Sequence, residues 1–219
     1  LSSRLMLALA IALVFSLPAR AQDAPPAPKI KRATTESYAD ILRKVKATDS
    51  GVDYREFRLA YADSADYQPS AAPEARKAMF AALSAKDFAS AAKIAEAILD
   101  CRYVDIYAHQ VAAVAYRELG DRARSSIYGS VGRELIRSIV ESGDGNSTES
   151  AMVLISEEEE AIILQALGLK PNKQELVDEN GHTYDRVDTV DANDITMTIY
   201  FNLDVPVIKA RQALAAQPR

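Results

Sequence analysis

The sequence predicts a mostly α chain with an α+β C-terminal part: tetratricopeptide-like helical hairpins capped by a small antiparallel sheet. Three observations predict it. Apolar residues recur at helical spacing from Tyr38 to Ile139. The turn-like stretches "AKDF" (85–88) and "LGDR" (119–122) place Asp87 and Asp121 34 residues apart, the tetratricopeptide period. After Ser150 the pattern changes to strict apolar/polar alternation.

In chain order, Tyr38, Ile41, Leu42 and Val45 make one helical face, and "DSG" (49–51) ends it. A short second helix fits Tyr54 to Ala62, after which "DYQPSAAP" breaks the chain with two prolines. Four amphipathic helices follow. Their apolar faces are Ala75, Met79, Ala82 and Leu83; Phe88, Ala91, Ala92, Ala95, Ile98 and Leu99; Val104, Ala108, Val111, Ala112 and Ala115; and Ile127, Val131, Leu135 and Ile139. A generic alanine-rich bundle shares this composition, and the 34-residue spacing is what favours the repeat. Two repeats leave their end faces uncovered, so something has to cap them. The remainder supplies it: a short apolar run "AMVLI" (151–155), a helix from Glu157 to Leu167 closed by Gly168, a strand in "HTYDRVDTV", and a strand alternating through Ile195, Met197, Ile199, Phe201, Leu203 and Val205. These six apolar side chains are expected to cover the hairpins.

The start reads as a signal peptide at 1–21: Arg4, an apolar block from Leu5 to Leu17, then Pro18-Ala19-Arg20-Ala21. The block is shorter than the roughly 20 residues a spanning helix requires. Cleavage after Ala21, with no cysteine next to it, implies a soluble product, secreted or periplasmic, with no membrane insertion afterwards. The expected division is then a flexible proline-rich leader at 22–33, a helical part at 34–141, an α+β cap at 142–205 and a tail at 206–219. The formal charge is −5; without Arg4 and Arg20 the 26 basic residues become 24 against 31 acidic ones, or −7. That balance, without a basic patch, excludes a nucleic-acid partner. The single Cys101 excludes an internal disulfide, and one cysteine with two histidines excludes a Cys/His zinc site, so neither metal nor cofactor is expected.

The candidate sites each have a structural use beside the chemical one. "SGDGNSTES" (142–150) resembles a ligand loop, yet counting from Asp144 puts Glu149 and Ile155 at the sixth and twelfth positions, where a calcium loop needs Gly and Glu. A helix stop with Gly143 as the left-handed residue accounts for it. "SEEEE" (156–160) reads as a capping box, Ser156 with Glu159, and its carboxylates point in different directions. His182 and Asp185 are the one His–Asp pairing close in sequence, while His109, among alanine and valine, reads as a structural histidine. The tyrosines suit helix interfaces better than a binding face.

Taken together, "DYREFRLAYADSADYQP" (53–69), "SGDGNSTESAMVLISEEEE" and "GHTYDRVDTV…ITMTIYFNL" resemble the secreted bacterial family known as domain of unknown function 4919, over about residues 35–204. Asp53, Tyr54, Arg58, Tyr61, Tyr67, Pro69 and Ser142 to Gly145 carry the resemblance, and Ala161 stands where an aromatic is expected. It implies an extracytoplasmic address and a fold, and no mechanism. The functional expectation is a module that binds a peptide or an envelope protein. The alternative is a hydrolase with a polar site near Asp144, His182 and Asp185. The candidate ligand-facing residues are Arg58, Asp144, Glu158, His182 and Asp185.

Overall fold

The computed structural model describes residues 32–68 and 73–215; the expected signal peptide and most of the leader lie outside them. The order is α1 (Tyr38–Lys46), α2 (Tyr54–Asp63), α3 (Pro73–Ser84), α4 (Phe88–Cys101), α5 (Ile106–Glu118), α6 (Arg122–Val140), β1 (Met152–Val153), α7 (Glu158–Ala166), β2 (Lys170–Glu179), β3 (His182–Val190), β4 (Thr196–Asn202) and α8 (Asp204–Ala215). The chain is mostly helical with an α+β C-terminal part.

Short polar side chains start the helices. Ser37, Asp53, Asp87, Asp105 and Asp121 each accept a hydrogen bond from a first-turn N–H of α1, α2, α4, α5 and α6. The turns of α3–α4 and α5–α6 match at a constant offset. Lys86 N–H donates to Leu83 O and Asp87 N–H to Ala82 O, as Gly120 N–H donates to Arg117 O and Asp121 N–H to Tyr116 O. Both turns pass through a left-handed residue, Lys86 at φ 59° and Gly120 at φ 82°. In α2 every residue from Glu56 to Ala62 is buried, so this helix is enclosed on all sides.

The sheet has the order β1-β4-β3-β2. The pairs β2–β3 and β3–β4 are antiparallel, whereas β1 runs parallel to β4, so the sheet is mixed where an antiparallel one was expected. The long stretch between β1 and β4, through α7 and the β2–β3 hairpin, is the crossover that parallel pairing requires. Strand β2 was not expected, because its residues are almost all polar. Its signal was the Asn180-Gly181 turn, both residues at positive φ (53° and 83°), which joins two strands rather than merely entering one.

Strand β4 ends at Asn202, and α8 occupies most of the stretch expected to be a tail. Of the six apolar side chains, Ile199, Phe201 and Leu203 are buried, Ile195 and Met197 are 57% and 40% exposed, and Val205 belongs to α8. Burial follows cover: Phe201 lies beside Met152 of β1 and is fully enclosed, while the start of β4 extends past β1. One apolar cluster runs from Tyr38 and Phe57 through Leu135 and Ile139 to Ile155, Ile163 and Phe201, so helices and sheet share a core. Ala161 is exposed, so an aromatic there has no core to fill. No helix among the described residues is long and apolar enough to cross a membrane.

Candidate functional site

The glutamate run is the place to begin, because successive helical residues turn by about 100° and cannot share a target. Glu157 is exposed, and each of its three successors meets a different group. Glu159 takes Arg58 from the enclosed helix α2. Arg58 Nε donates to Oε1 (3.1 Å) and Nη2 to Oε2 (2.6 Å), and Nη2 also donates to Val153 O (3.0 Å). Ile155 N–H donates to the same carboxylate at 2.8 Å. Both side chains are buried, and this two-pronged pair spans 101 residues of sequence. Beside it, Tyr67 OH donates to Ile155 O (2.7 Å) and Gln68 N–H to Tyr61 OH (2.9 Å).

Glu158 faces the hairpins. Its Oε2 accepts from Arg76 (2.7 Å) and Arg102 (3.0 Å), and Arg76 also reaches Asp105 at 2.7 Å. Burial pushes the Glu158 carboxyl up against the pull of Arg102 and Arg76. Burial opposes the charge on Arg102, yet Asp105, Glu158 and Glu159 together hold it more firmly protonated. Three carboxylates and three guanidinium groups thus meet where α2, α3, α5 and α7 converge.

Glu160 faces the sheet. Gln174 Nε2 bridges it (3.2 Å) to Asp185, whose Oδ1 is buried without a partner. Burial, then the nearby Asp185 charge, raises the Glu160 carboxyl to about 9, so it carries a proton at neutral pH. The expected capping box does not form: Glu157 is the first-turn cap without a side-chain bond, Ser156 Oγ is buried and unpartnered, and Glu159 is taken by Arg58.

The 142–150 loop is tied down by its own polar groups. Asp144 Oδ1 accepts from Asn146 N–H (2.9 Å) and from Ser150 Oγ, which, with the backbone bond second, lower its carboxyl. The left-handed residue is Gly145, φ 71°, not Gly143. Gly143 is needed for a different reason: a Cβ there would lie 2.7 Å from Ala151 O. Tyr200 N–H donates to Gly145 O (2.8 Å), which fastens the loop to the edge of β4.

His182 and Asp185 are three apart on β3 and therefore lie on opposite faces. The partner of His182 is Asp204 at the start of α8; Nδ1 meets Oδ2, and Oδ1 accepts from Thr183 N–H (3.0 Å). Among the described residues, none of Arg58, Asp144, Glu158, His182 and Asp185 shares a hydrogen bond or ion pair with another of the five. Sequence reasoning missed their partners Glu159, Arg76, Arg102, Gln174 and Asp204. One signal was present: Arg58 stands inside the apolar run "FRLAYA", where a charge needs a buried carboxylate. His109 is the structural histidine expected. It is fully buried, donates from Nε2 to Tyr103 O (2.8 Å), and is lowered to about 4 by burial, so it is neutral.

One groove of about 440 Å³ opens between the first turn of α2 and the last turns of α6. Tyr54 and Arg55 line one wall, and Glu134, Arg137 and Glu141 the other.

A family model described as Domain of unknown function (DUF4919) matches residues 27–211. No curated protein matches the chain. No solved structure matches it either.

Proposed function

The chain belongs to the DUF4919 family, and on that premise we propose that it is an exported module that binds an extended peptide or protein segment. The groove between α2 and α6 carries the reading. Its half-buried Tyr54 offers an aromatic face, Arg55 and Arg137 suit carboxylates or carbonyls, and Glu134 and Glu141 suit amines. The two hairpins with turns 34 residues apart support it, since tetratricopeptide-like stacks hold peptides against helix faces. Export rests on the pattern of residues 1–21, and a native protein whose first residue is Gln22 is its test.

A photo-reactive residue in place of Arg55, in the full chain, should attach one reproducible peptide segment, sequenced by mass spectrometry. Arg137→Glu should abolish the attachment. Attachment that is absent, or that Arg137→Glu leaves unchanged, overturns the assignment of the groove.

One observation favours the hydrolase alternative. Asp204 engages Nδ1 of His182, whose side chain is 30% exposed, and so leaves Nε2 as the outward nitrogen of an oriented base. A hydrolytic activity on ester or peptide substrates that His182→Ala removes, with folding retained, would establish it. A hydrolytic activity that His182→Ala spares ends it.

A further inference from the structure

Strand β2 is the open edge of the sheet. The other edge is closed by β1 and by the Gly145 loop, whereas β2 meets no strand but β3 among the described residues. Nine of its ten residues are exposed. The two-residue turn decides which backbone groups are free. Glu179 and His182 close the hairpin as a hydrogen-bonded pair, so Lys173, Glu175, Val177 and Glu179 face β3 and Gln174, Leu176 and Asp178 direct N–H and C=O outward. The phase checks on the neighbouring strand: Leu203 N–H donates to Thr183 O (2.8 Å), so Thr183, next to His182, faces β4. Of the features that discourage edge pairing, Pro171 and the irregularity between Pro171 and Lys173 lie at the start of the strand, and between 173 and 179 only charged side chains remain, Lys173, Glu175, Asp178 and Glu179, which the register has to accommodate. From 173 to 179 the edge is regular.

We propose that this edge pairs antiparallel with the same edge of a second copy, about a two-fold axis at Leu176. Leu176 then meets Leu176, Gln174 meets Asp178, Glu175 meets Val177 and Lys173 meets Glu179. This register covers Leu176, which is 46% exposed, and sets the strand's regular-edge cation opposite a carboxylate. Neighbouring registers fail on charge or geometry. An axis at Glu175 puts two Glu175 carboxylates face to face, an axis at Val177 puts Glu175 opposite Glu179, and an axis at Gln174 draws Pro171 into the ladder. Seven residues a side bury less than the roughly 1,000 Å² of a stable interface, so the dimer forms in the micromolar range.

The test uses the full chain with Cys101→Ser. In this register positions 173 and 179 of opposite copies are non-hydrogen-bonded neighbours with Cβ atoms about 5 Å apart. Like positions of the two copies are six steps, roughly 20 Å, apart. Oxidising the Lys173→Cys, Glu179→Cys double variant should therefore give a covalent dimer, and neither single variant should. Sedimentation of the unmodified chain should show a dimer, and Leu176→Arg, which sets two cations on the axis, should weaken it at least about tenfold without changing the circular dichroism. Leu176→Pro should do the same, since it deletes one outward N–H and spares the bonds to β3. A chain monomeric at about 500 μM, far above the micromolar range expected of so small an interface, would overturn the proposal. So would single variants that cross-link as readily as the double one, or a dimer that Leu176→Arg leaves intact.

Discussion

Glu159 and Glu160 are adjacent on α7, equally acidic in isolation, and end in opposite electrostatic situations. Glu159 turns toward the helices and meets the buried Arg58; Glu160 turns toward the sheet and meets another carboxylate, Asp185, through Gln174. The first is a carboxylate matched by two guanidinium hydrogen bonds and one backbone N–H. The second keeps its proton because a charge there would face both burial and Asp185. A turn of about 100° along one helix decides whether a glutamate locks the fold or opposes it. The helix-facing side joins α2 to α7, and hence the two parts of the chain. The sheet-facing side leaves a buried oxygen of Asp185 unpartnered, at a cost to stability.

The largest effect should come from breaking the matched side. Glu159→Gln leaves Arg58 charged and buried with no counter-charge, and should cost about 3 to 5 kcal/mol in urea unfolding. Replacing both, Arg58→Met with Glu159→Leu, should recover much of that loss, because a buried pair adds little over well-packed apolar groups. If the single variant costs less than about 1 kcal/mol, the net worth of an exposed pair, the two sides of α7 do not differ as described.

The sheet-facing side is tested by pH. The Glu160 carboxyl rises from 4.5 to about 9 on folding, so the native state holds a proton that the unfolded chain has released. The contribution of Glu160 to stability is then greatest below pH 4.5 and falls as pH rises toward 9. The limiting slope is about 1.4 kcal/mol per pH unit. His109 acts in the other direction: lowered from 6.5 to about 4, it loses stability as pH falls below 6.5 and contributes no slope above it. Unfolding at pH 7 to 8.5 isolates the glutamate. Glu160→Gln should flatten the slope there and raise stability at pH 8, where the wild type is penalised. A wild-type chain with no slope in that range would show that Glu160 does not keep its proton in the folded state.

What could be read in advance follows the same division between near and far. Asp87 and Asp121, the caps at a 34-residue spacing, were legible because a cap and its turn are set by neighbours in sequence. The enclosed Arg58 was visible as an anomaly in an apolar run, but its partner lies 101 residues away and four glutamates competed for the role. His182 was paired with Asp185 by proximity in sequence, although period-two alternation sends them to opposite faces and brings Asp204 from beyond the next strand. Strand β2 has no apolar face to betray it, so only the Asn180-Gly181 turn announced it.

A smaller loss is expected at Glu158, between the two extremes. Its side chain is 26% exposed, and both Arg76 and Arg102 keep Asp105 as a neighbour when it is removed. Glu158→Gln should cost about 1.5 to 3 kcal/mol, in the range of a single hydrogen bond to a charged group. A loss as large as that of Glu159→Gln would mean that the six charged groups act as one network, and double-mutant cycles across Arg58 and Arg76 would then show strong coupling.

The smallest effect belongs to a carboxylate in a third setting, Asp144 in the exposed loop. Here the acceptor oxygen supplies most of the effect and the charge adds to it: Oδ1 takes Asn146 N–H and Ser150 Oγ, and an asparagine presents a neutral oxygen in the same place. Asp144→Asn should lower the urea midpoint slightly at pH 7, and Asp144→Ala, which removes the acceptor, should lower it more. Acid should remove the difference between the wild type and Asp144→Asn. The bonds to Ser150 and Asn146 hold Asp144 below its ordinary value of 3.8, so its contribution is present above that pH and is lost only as pH falls further. The wild type and Asp144→Asn should therefore differ above pH 3.8 and converge below it. If Asp144→Asn instead raises the midpoint at pH 7, the loop holds its charge for something other than its own turn, and the ligand-loop reading of residues 142–150 returns.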